Sequence, residues 1–303
     1  PNTCGLFETD IKEIADLIHA AGGYFYCDGA NFNAIVGRVR PGDLGVDAMH
    51  INLHKTFSTP HGGGGPGSGP TVLSDALAPY APVPFVVKDE DGVFRLVEDM
   101  EGDAKESFGR MVAFHGQMGM FVRALTYMLS HGADGLKQAS EDAVLNANYI
   151  QARLKSVMTP AFEGYCMHEA LFSDAFTADG IETIDVAKSL IDEGYHPMTM
   201  YFPLVVHGAM LIEPTESESK AELDRFCDSL ESIARRAAQG DETMKGAPYL
   251  APMRRLDETQ AARKPVLKWT PPETSSVRQN KDQEAFCTVG RDFRKSAPTG
   301  RSK

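Results

Sequence analysis

Hydrophobic and polar positions alternate along Met49-His50-Ile51-Asn52-Leu53-His54. Met49, Ile51 and Leu53 then share one side of a strand predicted near residues 46–53, and His50, Asn52 and His54 the other. Upstream, Ile11, Ile14, Ala15 and Ile18 recur at helical spacing and predict an amphipathic helix over 11–21, with Gly22-Gly23 as its stop. Tyr24-Phe25-Tyr26-Cys27 reads as a short aromatic strand ending at the turn-forming cluster Asp28-Gly29-Ala30-Asn31. Together these elements predict a parallel sheet covered by helices.

The periodicity continues as α/β. Residues 117–129 read as a buried helix, and 136–158 as one long helix or two abutting ones ending at Pro160. Strands are predicted over 166–172, 198–206 and 209–213, and helices over 184–192 and 219–239, the last capped by Ser219. Met111, Met118, Met120 and Met128, at near-helical spacing, read as core filler. The expected division is a larger domain over 1–160, a smaller α+β lobe over 161–269, and a mostly disordered tail over 270–303, where Pro, Ser, Thr, Lys and Arg dominate.

Composition narrows the function classes. A net charge of -12 disfavours nucleic acid as a partner. No apolar run is long enough to span a bilayer. The 5 cysteines form no C-x-x-C pair and read as reduced thiols of a cytosolic protein.

The candidate chemistry centres on Lys55. It follows the alternating strand and precedes the run Gly62-Gly63-Gly64-Gly65-Pro66-Gly67-Ser68-Gly69, which forms neither stable helix nor stable strand. A lysine at a strand end beside a close-approach loop is a candidate nucleophile for carbonyl compounds. Gly62, Gly64 and Gly67 match G-x-G-x-x-G, but Pro66 interrupts the match, and Ser68 in place of a lysine excludes a P-loop. His50, His54 and His61 lack a nearby carboxylate or thiol to complete a metal site, so none is expected. Asp28 sits where open α/β sheets place ligand contacts. A lysine that forms an imine and an acid that keeps a ring nitrogen protonated are the two groups pyridoxal phosphate needs. His168-Glu169 is weighed as an acid–base pair and expected to be structural. Arg110 and Arg123 are candidates for a substrate carboxylate, and the sequence selects neither.

These residues also carry a family resemblance. The stretches Tyr26-Cys27-Asp28-Gly29-Ala30-Asn31, Asn52-Leu53-His54-Lys55-Thr56-Phe57 and Pro60-His61 through Gly69-Pro70 closely resemble the P-protein of the glycine cleavage system, glycine dehydrogenase (decarboxylating). The match is to its C-terminal half, or subunit 2 of the split form. It continues through Arg40-Pro41-Gly42-Asp43, Cys166-Met167-His168-Glu169 and Ile212-Glu213-Pro214-Thr215-Glu216 to Trp269. The chain opens on a segment resembling an internal part of that family, so it is expected to be an N-terminally truncated piece.

The resemblance implies an aminotransferase-like (fold type I) α/β enzyme that decarboxylates glycine with pyridoxal 5'-phosphate. It would pass the aminomethyl group to the lipoyl arm of H-protein. Lys55 would hold the cofactor and Asp28 would pair with its ring nitrogen. His54 would stack, shuttle protons or gate the lysine, and Ala30 and Asn52 would complete the cofactor contacts. The loop holding Gly62, Gly63, Gly64, Gly65 and Gly67 would approach the cofactor or the lipoyl arm. The implied partners are the N-terminal half or subunit 1, in a heterotetramer or a dimer of fused chains, and lipoylated H-protein. The implied location is the cytoplasm in a bacterium or the mitochondrion in a eukaryote. Two rival readings are another fold type I enzyme, such as an aminotransferase, and a non-catalytic interaction subunit. The presence of both Asp28 and Lys55 argues against the second.

Overall fold

The computed structural model describes residues 1–61, 64–65, 67–100 and 102–269. The expected tail over 270–303 lies outside the described residues. Packing divides the chain into two units, Pro1–Arg255 and Leu256–Lys303.

The first unit opens with helix α1 (Ile11–Ala20). Its end is a Schellman closure: Gly22 N–H donates to His19 O and Gly23 N–H to Ile18 O, with Gly22 in the left-handed region at φ 77°. Strands β1 (Tyr26–Gly29), β2 (Ala48–Ile51) and β3 (Thr71–Leu73) form a sheet in that order, with β1 and β2 parallel and β3 antiparallel to β2. The alternation read in the sequence holds: Met49 and Leu53 are buried, and Ile51 packs with Leu53, Phe57 and Ala124.

Two boundaries move. The first strand was expected over 24–27 and occupies 26–29, because Asp47 takes the polar groups of Phe25. Phe25 N donates to Asp47 Oδ2 at 2.8 Å, and Asp47 N to Phe25 O at 2.8 Å. Asp28 is therefore a strand residue, paired with His50, rather than part of the following turn. The second strand stops at Ile51 because the backbone turns, with Lys55 N donating to Asn52 O at 3.2 Å.

A hairpin of β4 (Phe85–Lys88) and β5 (Phe94–Val97) follows, unanticipated in the sequence. Helix α2 (Met118–Leu154) merges the two expected helices across Gly132, which leaves helical geometry at φ 64°, ψ −177°. Its first segment is not buried as expected. Ala124 is buried, whereas Met118, Val122, Leu125 and Leu129 are exposed, as is Met111 before the helix.

The C-terminal part of the unit holds the main core. Strands β6 (Thr159–Pro160), β7 (Ala170–Ser173), β8 (Thr199–Met200) and β9 (Met210–Ile212) form an antiparallel sheet in the order β6-β7-β9-β8. Phe172, Met210 and Ile212 pack with Ile150, Leu154, Leu190 and Leu230 from the helical side. Leu171, Ala209 and Leu211 pack on the other side. Burial of both faces explains why β7 and β9 read as continuous apolar runs. Helices α3 (Thr183–Asp192) and α4 (Lys220–Ala238) cover this sheet, α4 capped by Ser219 as expected, through Glu222 N to Ser219 Oγ at 3.2 Å.

Here too the predicted strands shorten. The strand expected over 166–172 starts only at 170. Asn148 holds Cys166 through both its backbone groups, and Met167 N donates to Gly5 O. The strand expected over 198–206 ends after Met200, because Tyr201 takes a left-handed φ of 57°.

In the second unit, helix α5 (Glu258–Arg263) is capped by Asp257, whose side chain accepts from Gln260 N at 2.8 Å.

Candidate active site

The parallel pairing of β1 and β2 sets Asp28 opposite His50 and Gly29 opposite Ile51. Lys55 lies a few residues beyond the carboxyl end of β2, and Asp28 near the carboxyl end of β1. Both side chains are exposed. Asp28 Oδ1 accepts from Ala30 N at 2.9 Å and lies 3.1 Å from His50 Nε2. Beside Lys55 the Thr56 and Thr59 hydroxyls are buried without a hydrogen-bond partner among the described residues.

The glycine-rich segment folds back along the end of β2. Ile51 N donates to Pro70 O and Leu53 N to Ser68 O, both at 2.9 Å. This return requires Gly69, where a Cβ would stand 1.7 Å from Ile51 O. Gly64 and Gly65 close a turn, their N–H groups both donating to His61 O at 2.8 Å, and Gly64 has φ 106°. His61 Nδ1 contacts Gly65 O in return. Gly62 and Gly63 lie outside the described residues.

His54 sits inside this arch. Its ring meets that of His61 edge-on at 4.2 Å, its Nδ1 accepts from Ser68 N at 3.4 Å, and Gly67 lies against it. Desolvation by the surrounding chain, then the charges of His61 and Lys55, lower its pKa, so His54 is held neutral. His50 instead engages Tyr26 and Asp28, so the three histidines do not converge on one point. Asn52 accepts from Lys55 N through its carbonyl. Arg110 is paired with Glu98 at 3.3 Å.

A second cluster faces the loop after β1. Asn31 Nδ2 donates to Glu169 Oε1 at 3.5 Å, and Asn33 Nδ2 to Glu213 Oε1 at 3.1 Å. His168 is fully buried, neither ring nitrogen is hydrogen-bonded among the described residues, and its Nε2 lies 3.6 Å from Glu169 Oε2 and 3.9 Å from Glu213 Oε1. Burial lowers His168 to about 4. Burial, and then the Glu213 charge, raise Glu169 to about 7, against the opposing pull of Lys55. Glu213, Asn31 and Asn33 were not singled out in the sequence. The available signals were the asparagines after Asp28 and a carboxylate directly after an apolar strand.

The fold is that of the fold type I pyridoxal-phosphate enzymes. It is similar to the crystal structure of glycine decarboxylase (P-protein) of the glycine cleavage system, with a TM-score of 0.60 at 20% identity over 74% of this chain and 51% of that one. It is also similar to an aspartate aminotransferase from Thermus thermophilus, with a TM-score of 0.54 at 14% identity over 78% of this chain and 62% of that one. The sequence is similar to those of proteins named probable glycine dehydrogenase (decarboxylating) subunit 2. Residues 139–248 match the family described as "Glycine dehydrogenase, C-terminal domain". The chain is 72% identical to a probable glycine dehydrogenase (decarboxylating) subunit 2 of Caulobacter vibrioides, over 89% of this chain and 52% of that protein. It is 51% identical to the protein of the same name in Caldanaerobacter subterraneus, over 89% of this chain and 55% of that protein. The chain thus spans about half the length of the curated relatives it matches.

Proposed function

We propose that this chain forms the lysine-bearing half of a pyridoxal-phosphate-dependent glycine decarboxylase. The whole enzyme passes the aminomethyl group of glycine to the lipoyl arm of H-protein. The observation that carries this reading is the placing of Asp28 and Lys55 at the same end of the parallel neighbours β1 and β2, beside a glycine-rich loop. The donor set suits the cofactor: an exposed primary amine, an exposed carboxylate, and buried threonine hydroxyls awaiting partners.

When bound, pyridoxal phosphate supplies the electron sink that takes up the charge left by departing carbon dioxide. The ε-amine of Lys55 anchors the cofactor covalently. The Asp28 carboxylate holds a proton on the ring nitrogen. His54, neutral beside Lys55, accepts or passes a proton there. The glycine-rich loop would approach the cofactor or the lipoyl arm, where side chains would obstruct. Residues 1–160 belong to the large cofactor-binding domain and 161–269 to a smaller α+β domain. The relatives' designation as subunit 2 supports a partner subunit 1.

The test is exchange of labelled bicarbonate into glycine, using the chain extended to the length of its relatives and combined with its partner half. Exchange that requires lipoylated H-protein, and is absent with the unlipoylated form, is the expected result. Amino transfer to a keto acid with no dependence on H-protein would replace this reading with an aminotransferase.

A further inference from the structure

We propose that Tyr26 and His50 form a positioning relay behind Asp28, setting the carboxylate for the cofactor's ring nitrogen. This rests on the reading of Asp28 given above. Tyr26 and Asp28 alternate by two residues on β1, and His50 lies opposite Asp28 on β2. The Tyr26 hydroxyl lies 2.6 Å from His50 Nδ1, and the two rings stack with centroids 5.9 Å apart at 29°. On the far side of the imidazole, Nε2 is 3.1 Å from Asp28 Oδ1.

The chemistry of the two nitrogens orders the chain. A neutral imidazole carries one N–H. If Nδ1 held it, the lone pair of Nε2 would face the carboxylate oxygen and repel it. A tyrosine O–H donated to Nδ1 places the hydrogen on Nε2, the nitrogen that lies 3.1 Å from Asp28 Oδ1. Oδ1 accepts from Ala30 N at 2.9 Å and has the imidazole N–H beside it at ion-pair distance. Among the described residues Oδ2 accepts no hydrogen bond and joins no ion pair. One carboxylate oxygen is fixed and the other is presented outward, as a single-point contact with a protonated ring nitrogen requires.

The exposure of these groups argues that they do not serve the fold. The Asp28 side chain is 72% exposed and that of His50 31%. Polar contacts so open to water contribute little to stability. Their loss therefore registers in the carboxylate's geometry and leaves the fold intact.

The test compares Tyr26→Phe, His50→Leu and His50→Gln with Asp28→Asn in the full-length subunit paired with its partner half. In the cofactor-free protein, nitrogen NMR of labelled histidine reads the tautomer. Wild type is expected to show His50 protonated on Nε2, and Tyr26→Phe a mixture. In the loaded enzyme, His50→Leu is expected to move the cofactor's visible absorption band in the same direction as Asp28→Asn. It should also lower kcat about 10-fold, as loss of a supporting contact behind a functional group does, with KM for glycine nearly unchanged. His50→Gln, which keeps an N–H donor, should restore most of both. An Nδ1-protonated His50 in wild type overturns the relay. So does a His50→Leu enzyme with normal band and kcat while Asp28→Asn is impaired. A normal Asp28→Asn enzyme overturns the role of Asp28 itself and the relay with it.

Discussion

A Cβ added to Gly29 would stand 1.9 Å from the carbonyl oxygen of His50. The backbones of β1 and β2 approach this closely immediately after Asp28, so the glycine fixes the spacing of the strands that bear Asp28 and lead to Lys55. Gly29→Ala must push the two strands apart or twist them. We expect a loss of about 2–4 kcal/mol, the range of severe overpacking, read as a lowered urea midpoint. Asp28 should be displaced with it, so cofactor affinity should fall. Unchanged stability would mean that β1 relaxes freely at this point.

Gly67 and Gly69 make contrasting demands. A Cβ at Gly69 would lie 1.7 Å from the Ile51 carbonyl, whereas one at Gly67 would meet the His54 ring at 3.0 Å. Gly69→Ala should therefore destabilise the sheet edge, by an amount similar to Gly29→Ala. Gly67→Ala should leave stability within about 1 kcal/mol and shift only the imidazole. Turnover should then fall while the melting temperature holds. Equal thermal losses in both variants would contradict this division.

The sequence made the local parts of the site legible and left the distant ones hidden. Lys55 and the glycine arch are contiguous, and the alternation before them stated which side of β2 is buried. Asp28 was found on the right strand but placed in its turn, because the boundary depends on Asp47, whose bonds to Phe25 no local pattern records. The Asn31–Glu169 and Asn33–Glu213 contacts join residues 138 and 180 positions apart, so only the folded chain brings them together. The β4–β5 hairpin escaped notice for a different reason. Val86, Phe94 and Leu96 are exposed, so apolar residues occupy outward positions and hide the alternation of burial along β4.

Glu169 should give the protein an unusual response to pH. Burial and the Glu213 charge raise its pKa to about 7 from a reference of 4.5. Between those values the folded chain holds a proton that the unfolded chain has released. Stability is therefore lost as pH rises through this window. The shift corresponds to at most about 3 kcal/mol. Glu169→Gln removes the ionisation, so its stability relative to wild type should increase steadily from pH 4.5 to 7. Urea unfolding at several pH values reads the difference. His168, lowered to about 4 by burial, acts oppositely: its stabilising neutrality is lost as pH falls below about 6.5. His168 is present in both proteins, and it enters the comparison through its contact with Glu169, 3.6 Å from Oε2. A pH-independent difference would place Glu169 in an ordinary carboxylate environment.

Lys55 is open to the most direct chemical test. It is exposed, follows the end of β2, and has buried neighbours in Thr56 and Phe57 that fix the turn on which it stands. Mixed with pyridoxal phosphate, the full-length subunit should develop a visible band that borohydride abolishes, because reduction converts a reversible imine to a stable secondary amine. Proteolysis and mass spectrometry should then find the pyridoxyl group on Lys55. Lys55→Arg keeps the charge but lacks a nucleophilic amine, so the band and the label should both vanish while the fold survives. Lys88 supplies an internal control, since its ammonium sits 5.5 Å from the Phe94 ring on the exposed hairpin and has no carboxylate-bearing partner strand of the Asp28 kind. A label on Lys88 or Lys105 that persists in Lys55→Arg would remove Lys55 from the site, and with it the pairing of β1 and β2 as the framework of the chemistry.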